Sequence, residues 1–451
     1  MKGDGNMNEF ITKLFAEAKK AGLDAAEAYI LEKESFEAMA IEGEINHYSA
    51  NTTRGLGFRA TLNGRMGYAY TEAFDRGAVR QLVQGAFESA RLCEEADESF
   101  LYHEKAADPT IPLFDPALQD ITPEQKLEFV LRLEKEAKAY DRRIDKVGDC
   151  TVFSGMETVR IVNTRGLDKE YSQNFCGAAL QPVAHEGDSV SAGFEVVVGR
   201  DFARVEDARL GERAAKIAVE RLHGKPVPSG SYRVVFENTA MSELLGVFSE
   251  AFSAENAQQG LSLLKGKLSE KIAAECVTLY DDPLLPDGMG SRPFDAEGVP
   301  SGKHTVIDNG RFHTFLHNLK TAHKDGIRTT GNASKASYAA AVRVSPSNFY
   351  FQPGESDLDG LLQAAGFGVL ITELAGTHSG ANAVSGDFSL YAKGFLFENG
   401  KRVRPVDQIT VAGNFFDMLK AVRALGSDLR FPRGGMGSPS VDVGELTIGG
   451  T

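Results

Sequence analysis

The sequence is poor in cysteine, and the few cysteines that it has are scattered. Of its 451 residues only Cys93, Cys150, Cys176 and Cys276 are cysteines, and none belongs to a Cys-x-x-Cys pair. Neither a disulfide framework nor a cysteine-rich zinc site is indicated, because both need cysteines in regularly spaced sets. Isolated cysteines are typical of a reducing compartment, so we expect a cytoplasmic protein.

Long apolar segments are also missing. The longest nearly apolar stretch, Leu361–Leu374, is interrupted by two glycines and three polar residues, and it is too short to span a bilayer. The first twenty residues contain acidic side chains and no apolar core segment, so they do not have the pattern of a secretory signal. The sequence therefore predicts neither a membrane partner nor export.

An excess of basic residues is absent too. Lysine and arginine number 49 against 63 acidic residues, a net charge of −14, and direct binding of nucleic acid needs a basic face. There is no P-loop and no Gly-x-Ser-x-Gly turn, which argues against common nucleotide and serine-hydrolase sites. The run Gly55–Ala60 matches a dinucleotide fingerprint loosely, but it leads into a strand pattern that offers a phosphate no helix N-terminus.

The patterns that are present predict helices alternating with β-hairpins. Apolar residues from Phe10 to Ala18 lie on one helical stripe that Gly22 ends, and Thr122-Pro123-Glu124-Gln125 has the composition of a capped helix start, with the helix running to about Tyr140. Further helices are predicted at Asp75–Leu92, Val205–Leu222, Ser242–Phe252 and Phe415–Leu425. Asn-Gly pairs between alternating runs predict hairpin turns at Asn63-Gly64, Asn309-Gly310 and Asn399-Gly400.

The chain is long enough for two or three domains. The segment Gly224–Gly230 is short and rich in proline and glycine, which favours a domain boundary there. We therefore predict an α+β fold in two parts: an N-terminal α/β domain with hairpins and helices at residues 1–225, and a β-rich, mainly antiparallel domain at residues 226–451.

Two stretches of the predicted N-terminal domain share one order of elements, strand, strand, helix. They span residues 24–92 and 147–222, and each contains the word Thr-Arg-Gly, at Thr53–Gly55 and at Thr164–Gly166. The repeated order is the stronger evidence for two related units, because a three-residue word recurs easily by chance.

Five glycine-containing blocks in the last third of the chain carry a family resemblance. They are Thr329-Thr330-Gly331-Asn332, Thr372-Glu373-Leu374-Ala375-Gly376, Val384-Ser385-Gly386-Asp387-Phe388, Phe397-Glu398-Asn399-Gly400 and Val411-Ala412-Gly413-Asn414. In this order they resemble the C-terminal domain of the TldD/PmbA family, which includes proteins called modulators of DNA gyrase. The resemblance implies an α/β N-terminal part, a β-rich C-terminal domain and a link to peptide hydrolysis.

Members of this family are of two kinds, with and without a zinc-binding His-Glu-x-x-x-His helix. In the first kind two histidines four apart share one helix face, and the neighbouring glutamate activates the metal-bound water. By the resemblance, those six positions fall on Gly246–Ala251, where neither histidine nor the glutamate is present, and the later cysteine ligand would fall near Gly434–Ser438, which has no cysteine. The chain therefore resembles the TldE/PmbA kind, which implies no cofactor of its own.

The resemblance implies that a TldD-like partner carries the zinc and cleaves unfolded or leader peptides, and that this chain helps to grip the peptide. A homodimer is the other assembly that it implies. No catalytic residue is predicted in this chain, so whether it is itself an enzyme stays open. The polar, glycine-rich blocks Arg328–Lys335 and Thr377–Asp387 suit main-chain capture of an extended peptide, and the predicted substrate-binding residues are Arg328, Thr330, Asn332, His378, Ser379, Ser385 and Asp387.

Two alternatives remain open at the level of sequence. The acidic chain could be a non-enzymatic peptide- or protein-binding module whose effect is on DNA gyrase. It could also be an independent metallohydrolase that uses the histidines His304, His313, His317 and His323. His313 and His317 have the i, i+4 spacing of a helical ligand pair, but they follow a predicted hairpin turn, and on a strand such residues lie about 13 Å apart.

Overall fold

The computed structural model describes residues 4–93 and 101–451. Residues 1–3 and 94–100, which belong to the predicted N-terminal domain, lie outside the described residues. No helix of the described part is long and apolar enough to cross a membrane.

The N-terminal half is built from long hairpin strands and amphipathic helices. Its described helices are α1 (Asp4–Lys20), α2 (Arg76–Leu92), α3 (Pro123–Tyr140), α4 (Phe202–Asp207) and α5 (Leu210–Glu220), with a 3-10 turn at Pro116–Gln119. Its described strands are β1 (Ala25–Ile41), β2 (Glu44–Leu62), β3 (Arg65–Thr71), β4 (Ile144–Asn163), β5 (Asp168–Glu186), β6 (Ser189–Ala192) and β7 (Glu195–Gly199).

These seven strands form one antiparallel sheet in the order β3-β2-β1-β4-β5-β6, with β7 also paired to β5. Each half of the sheet lies between two helices along the chain. Strands β1 to β3 follow α1 and precede α2, and strands β4 to β7 follow α3 and precede α4 and α5. The word Thr-Arg-Gly does not mark equivalent places, because Thr53–Gly55 lies inside β2 whereas Thr164–Gly166 forms the turn after β4.

The C-terminal half is richer in short strands. Its helices are α6 (Asn238–Phe248), α7 (Ala254–Gln258), α8 (Leu319–Asp325), α9 (Leu358–Ala365), α10 (Thr377–Gly380) and α11 (Phe415–Ala421), with a 3-10 turn at Ser249–Phe252. Its strands are β8 (Gly230–Phe236), β9 (Leu279–Asp281), β10 (His304–Asp308), β11 (Arg311–Phe312), β12 (Ala333–Ser334), β13 (Arg343–Val344), β14 (Phe349–Phe351), β15 (Phe367–Ala375), β16 (Asp387–Glu398), β17 (Lys401–Asn414), β18 (Ala424–Leu425), β19 (Arg430–Arg433), β20 (Met436–Ser438) and β21 (Val441–Gly449).

Two six-stranded sheets enclose the C-terminal core. One has the order β17-β16-β15-β8-β21-β18, and since β17 also pairs with β21 it closes on itself. The other has the order β11-β10-β9-β14-β20-β19. Among the described strands, β8–β15 and β14–β20 pair in parallel and the other pairs are antiparallel, which agrees with the predicted α+β class and the mainly antiparallel second half. One cluster of buried apolar side chains joins both sheets with α6 and α11.

The local turn and cap predictions are confirmed. Asn63, Asn309 and Asn399, each followed by glycine, have positive φ and connect β2–β3, β10–β11 and β16–β17, as a type I′ hairpin turn requires. Thr122 and Gln125 form the reciprocal capping box that starts α3. These features depend on neighbouring residues alone, which is why the sequence predicts them well.

Three helix predictions are wrong in extent. The range Val205–Leu222 contains the end of α4 and the whole of α5, with Arg209 between them in the left-handed conformation at φ 48°. The predicted helix Ser242–Phe252 begins at Asn238 and ends as a 3-10 turn. The predicted helix Phe415–Leu425 stops at Ala421, because Ala424–Leu425 pairs with β21 instead.

The two faces of the N-terminal sheet have different partners, and strand β1 shows this by its alternation. Ala28 and Ile30 pack with α1 and α2, while Tyr29 and Leu31 point to the opposite face, where they meet Phe294 and Ala333 of the C-terminal half. Successive side chains of a strand alternate between the faces of the sheet. One face of this sheet therefore carries the helices and the other receives the C-terminal half.

The chain also passes very close to β2 at this contact. A Cβ atom added to Gly57 would lie 2.0 Å from the carbonyl oxygen of Tyr338, so only glycine allows the segment around Tyr338 to lie against the strand. The glycines of the run Gly55–Ala60 thus serve backbone packing inside β2, where no helix follows them, and the dinucleotide-binding reading has no structural basis.

A buried ion triad joins the two halves at the same place. Arg59 Nε donates to Glu27 Oε1 at 2.6 Å, and its Nη1 donates to Glu297 Oε1 at 3.0 Å. All three residues are at most 4% exposed. Burial lowers the pKa of the guanidinium, but the charges of Glu27 and Glu297 together raise it above its ordinary value, so Arg59 stays charged and holds both carboxylates.

Lys335 lies beside this triad and forms no close ion pair with a carboxylate of residues 4–93 or 101–451. Its Nζ stands 4.8 Å from the ring centroid of Tyr29, and burial, aided by the charge of Arg59, lowers its pKa to about 8. Because the folded-state pKa lies below the ordinary lysine value, the charged form costs stability below pH 8.

We expect Lys335→Met to raise the free energy of unfolding by about 1–2 kcal/mol at pH 7. The gain should shrink between pH 8 and pH 10, where wild-type Lys335 loses its proton in the folded state while the unfolded chain still binds it. Chemical unfolding at pH 7 and near pH 10 measures the difference. Lys303→Met is the control, since Lys303 also stacks on tyrosine, 4.0 Å from the ring centroid of Tyr280, but pairs with Asp282 at 3.2 Å. A destabilised Lys335→Met would contradict the expectation.

Candidate functional site

Helix α6 occupies the place that the family resemblance assigns to the metal-binding helix. It follows β8 directly, and its face of Ala240, Met241, Leu244, Leu245 and Phe248 is buried in the C-terminal core. Of the six aligned positions, Gly246–Phe248 end this helix and Ser249–Ala251 form the 3-10 turn. Ala251 is buried and Glu250 is exposed. The helix is therefore anchored by its apolar face. Of the three aligned positions that lie in the helix, Gly246 and Val247 are half-exposed and Phe248 is buried.

Strand β20 faces this helix and carries the segment predicted to align with the cysteine ligand. A Cβ atom added to Gly246 would lie 3.6 Å from Met436 Cγ, so the structure brings the two predicted ligand segments into contact. The two positions aligned with histidines are Gly246 and Ala251, and the position aligned with the glutamate is Val247. The segment Gly434–Ser438 contributes glycines, Met436 and Ser438 in place of a cysteine, and a thioether is a poor ligand for Zn²⁺. These residues do not fit a zinc ion.

The histidines of the predicted alternative site do not converge either. His304 Nε2 lies 2.7 Å from the carbonyl oxygen of Thr330, and exposed His313 lies near Asp308, 3.7 Å away. His317 is buried, which lowers its pKa, and it precedes α8 rather than sharing a helix with His313. Across residues 4–93 and 101–451 no group of three or more histidine, cysteine, aspartate or glutamate side chains could hold a metal ion.

The first polar block, Arg328–Lys335, is largely part of a buried network. Thr330 Oγ1 donates to Asn332 Oδ1 at 2.6 Å, and Asn332 Nδ2 donates to Asp281 Oδ2 at 2.6 Å. The other oxygen of Asp281 accepts from the backbone N and the Oγ of Ser347. Burial raises the pKa of Asp281 in spite of these bonds. Thr330 and Asn332 thus hold loops together around Asp281, and their predicted role in binding substrate stays a prediction.

The second polar block, Thr377–Asp387, is at the surface. Ser385 Oγ donates to Asp387 Oδ2 at 2.8 Å, and Asn414 Nδ2 donates to Asp387 Oδ1 at 2.9 Å. These bonds, that of Asn414 first, lower the pKa of Asp387. His378 and Ser379 are exposed on the short helix α10. Their exposure leaves these side chains accessible to a ligand.

The predicted residues therefore fall into separate groups. Thr330 and Asn332 belong to the Asp281 network, whereas Ser385 and Asp387 belong to the surface loop that Asn414 braces. Arg328 is exposed on its own, with Glu104 3.9 Å away. Within the described part of the chain, no hydrogen bond or ion pair joins one group to another.

A charged cleft lies beside the start of α6, and sequence reasoning missed it. Its volume is about 480 Å³, and both halves of the chain line it. Its charged lining residues are six acidic and three basic ones: Asp149, Glu195, Glu220, Glu237, Glu243, Glu373, Arg221, Arg402 and Arg430.

Ion pairs fix the two walls of this cleft to each other. Arg221 of the N-terminal half pairs with Glu373 and donates to Thr372 Oγ1 at 3.0 Å, and Arg430 Nη1 donates to Glu195 Oε1 at 3.2 Å. Burial raises the pKa of Glu237, which lies 3.5 Å from Arg402. The lining residues are spread from position 149 to position 430 with no common motif. Among them Thr372, Glu373 and Leu374 belong to a block that carries the family resemblance, and this block was the signal that the sequence offered.

Comparison with known proteins gives matches along the whole chain. Residues 26–90 match the PmbA/TldA metallopeptidase domain 1, residues 116–222 its central domain, and residues 229–450 its C-terminal domain. The chain is 26% identical over 434 residues to the metalloprotease PmbA of Escherichia coli O157:H7, covering 95% of this chain and 92% of that protein.

Solved structures agree with these sequence matches. A Thermotoga maritima protein described as a candidate modulator of a DNA gyrase superposes with a TM-score of 0.90 and 31% identity, covering 98% of this chain and 100% of the other. TldE from Thermococcus kodakarensis, at 23% identity and a TM-score of 0.87 over 98% of this chain and 100% of its own, shares the fold. The chain therefore belongs to the PmbA/TldD metallopeptidase family.

Proposed function

We propose that this chain is the TldE/PmbA-type subunit of a cytoplasmic TldD/TldE-type metallopeptidase that acts on unfolded or leader peptides. The observation that carries the proposal is the residue set at the α6–β20 contact, where Gly246, Val247 and Ala251 stand at the positions aligned with the two histidines and the general base, and where the segment Gly434–Ser438 has no cysteine. A TldD-like partner would supply zinc and the hydrolytic step. A stable complex of this kind is expected to bury about 1,600 Å² or more.

The role proposed for this chain is to admit and hold the peptide. The surface block at His378, Ser379, Ser385 and Asp387 offers hydrogen-bonding groups on α10 and the loop after it, and loops on a rigid scaffold commonly bind ligands. The charged cleft beside α6 offers both signs of charge at the junction of the two halves. In this proposal a homodimer would be the assembly in the absence of the zinc-bearing partner.

The test combines elemental analysis with a peptidase assay on an unfolded substrate. For the chain purified alone we expect zinc far below one ion per chain and no cleavage, because the donor set at α6 and β20 does not fit the metal. After mixing with a zinc-bearing homologue we expect cleavage, with the zinc in that partner. Copurification of gyrase in place of the homologue would favour the binding-module alternative.

The contradicting outcome is one zinc per chain together with cleavage by the chain alone. The double variant His313→Ala, His317→Ala then locates the metal. Loss of zinc in this variant would assign the activity to the histidines, and retained zinc would place the metal elsewhere. Asn63→Asp, a change in an exposed hairpin turn, is the control that should alter neither quantity.

A further inference from the structure

A small polar cavity lies where the N-terminal sheet faces the C-terminal half. Its volume is about 150 Å³, enough for a carboxylate and part of the residue that bears it. Strands β1, β4 and β5 form one wall, and the segments at positions 289–296 and 334–335 form the other. The predicted polar block therefore does reach a cavity, through Ser334 and Lys335 rather than through Thr330 and Asn332.

Two cationic side chains, Arg292 and Lys335, line this cavity, and neither forms a close ion pair with a carboxylate of the described residues. The Nε and Nη2 atoms of Arg292 are buried and make no hydrogen bond within the described part of the chain. Lys335 contacts the face of Tyr29 and makes neither a hydrogen bond nor an ion pair with any residue of the described ranges. Buried guanidinium N–H groups that lack acceptors are costly, so a ligand that supplies acceptors is favoured here.

The acidic residues of the wall are already engaged. Asp295 Oδ1 accepts from the backbone N of Glu297 and Val299 at 2.9 and 3.0 Å, and its Oδ2 accepts from Ala333 N at 3.0 Å. Glu157 pairs with Lys33, 2.9 Å away. Burial raises the pKa of Asp295, and the charge of Arg292 and the three backbone N–H bonds oppose this shift. The oxygens of Asp295 thus have donors, whereas Nε and Nη2 of Arg292 have no acceptor in the described structure.

We propose that this cavity is a subsite for a carboxylate group of a peptide, with Arg292 and Lys335 as its cationic ligands. A guanidinium binds a carboxylate through two parallel N–H bonds, and an ammonium adds a point charge. Gln173 Oε1, buried and without a donor in the described structure, suits the N–H group of the residue that bears the carboxylate. That the peptide is a substrate rests on the proposed function, whereas binding of the carboxylate does not require cleavage.

The test measures binding by the full chain, purified alone, with fluorescence anisotropy. The probe is a labelled short peptide of alanine, serine and leucine with a free C-terminal carboxylate. Two further probes are its C-terminal amide and an amide that contains one internal glutamate. We expect the free acid to bind about tenfold to a hundredfold more tightly than the plain amide, as hydrogen bonds to a charged group imply.

Variants assign this preference to the cavity. Arg292→Gln and Lys335→Gln should each remove most of it, whereas Lys335→Arg, which keeps the positive charge, should retain it. Lys303→Gln is the matched control, because Lys303 also stacks on tyrosine but is paired with Asp282. Thermal melting of each variant verifies that it is folded. Tight binding of the internal-glutamate amide would identify a side chain as a source of the carboxylate, and weak binding would identify the chain terminus.

Three outcomes would overturn the proposal: equal affinity for acid and amide, no saturable binding of either, or a preference that survives Arg292→Gln and Lys335→Gln. The binding result can be distinguished from the outcome of the test of the proposed function. Carboxylate binding without partner-dependent cleavage would refute only the peptidase role, and cleavage without a carboxylate preference would refute only this subsite.

Discussion

Replacing Arg59 with methionine should lower the free energy of unfolding by about 3–5 kcal/mol, because it leaves two carboxylates buried without their cation. Glu27 and Glu297 both lie against the guanidinium and are almost fully buried. Burial already raises the pKa of Glu297, and the loss of Arg59 would raise it further. Urea unfolding at pH 7 measures the change.

The matched control is Arg54→Met on the same strand. Arg54 pairs with Glu32 across β1 and β2, as Arg59 pairs with Glu27. The two side chains of the Arg54 pair are 34% and 45% exposed, so this pair is partly in solvent. Exposed pairs contribute about 0–1 kcal/mol, so the control should change little. An equal loss of unfolding free energy in the two variants would show that burial does not determine how much the triad contributes to stability.

Replacing Asn332 with leucine should lower the free energy of unfolding by about 2–4 kcal/mol, since it leaves buried Asp281 Oδ2 without its donor and removes one of the hydrogen-bond partners of the Thr330 hydroxyl, which keeps its bonds to the His317 backbone. The side chain of Asn332 is 1% exposed and bonds to both groups. Thermal and chemical unfolding of the purified variant measure this loss.

The same variant also tests the predicted role of Asn332 in substrate binding. A ligand-binding Asn332 would leave the melting temperature unchanged and reduce peptide affinity alone. The comparison is Ser385→Ala in the surface block, where we expect a change within about 0.5 kcal/mol. Intact stability in Asn332→Leu would therefore contradict the structural role that its hydrogen bonds indicate.

Sequence alone could predict those parts of the fold that depend on neighbouring residues. The Asn-Gly hairpins and the Thr122 cap are local, and the family blocks identified the β-rich half. The break between α4 and α5 at Arg209 could not be predicted in the same way. Arg209 has the left-handed conformation, and nothing in the local sequence indicates that an arginine adopts it. The early end of α11 depends on the pairing of β18 with β21, which is set by tertiary structure.

The candidate site was less predictable than the fold. The absence of metal ligands at Gly246 and Ala251 can be read from the sequence once the α6 segment is aligned with the His-Glu-x-x-x-His helix of the family. That Thr330 and Asn332 are buried is not visible, because a polar, glycine-rich block has the composition of a surface loop. The partners of Arg59 are 32 and 238 positions away, and no pattern in a single sequence links such residues.

The pairing of β8 with β21 has a kinetic consequence. Gly450 N donates to Ser229 Oγ across 221 positions, and β8 lies between β15 and β21 inside the closed sheet. Bringing such distant segments together costs loop-closure entropy, and this cost comes before the contacts between the strands have formed to offset it. Stopped-flow refolding of the full chain should therefore show a slow phase for the C-terminal half, during which β8 and β15 present an unpaired strand edge to other chains and association competes with closure.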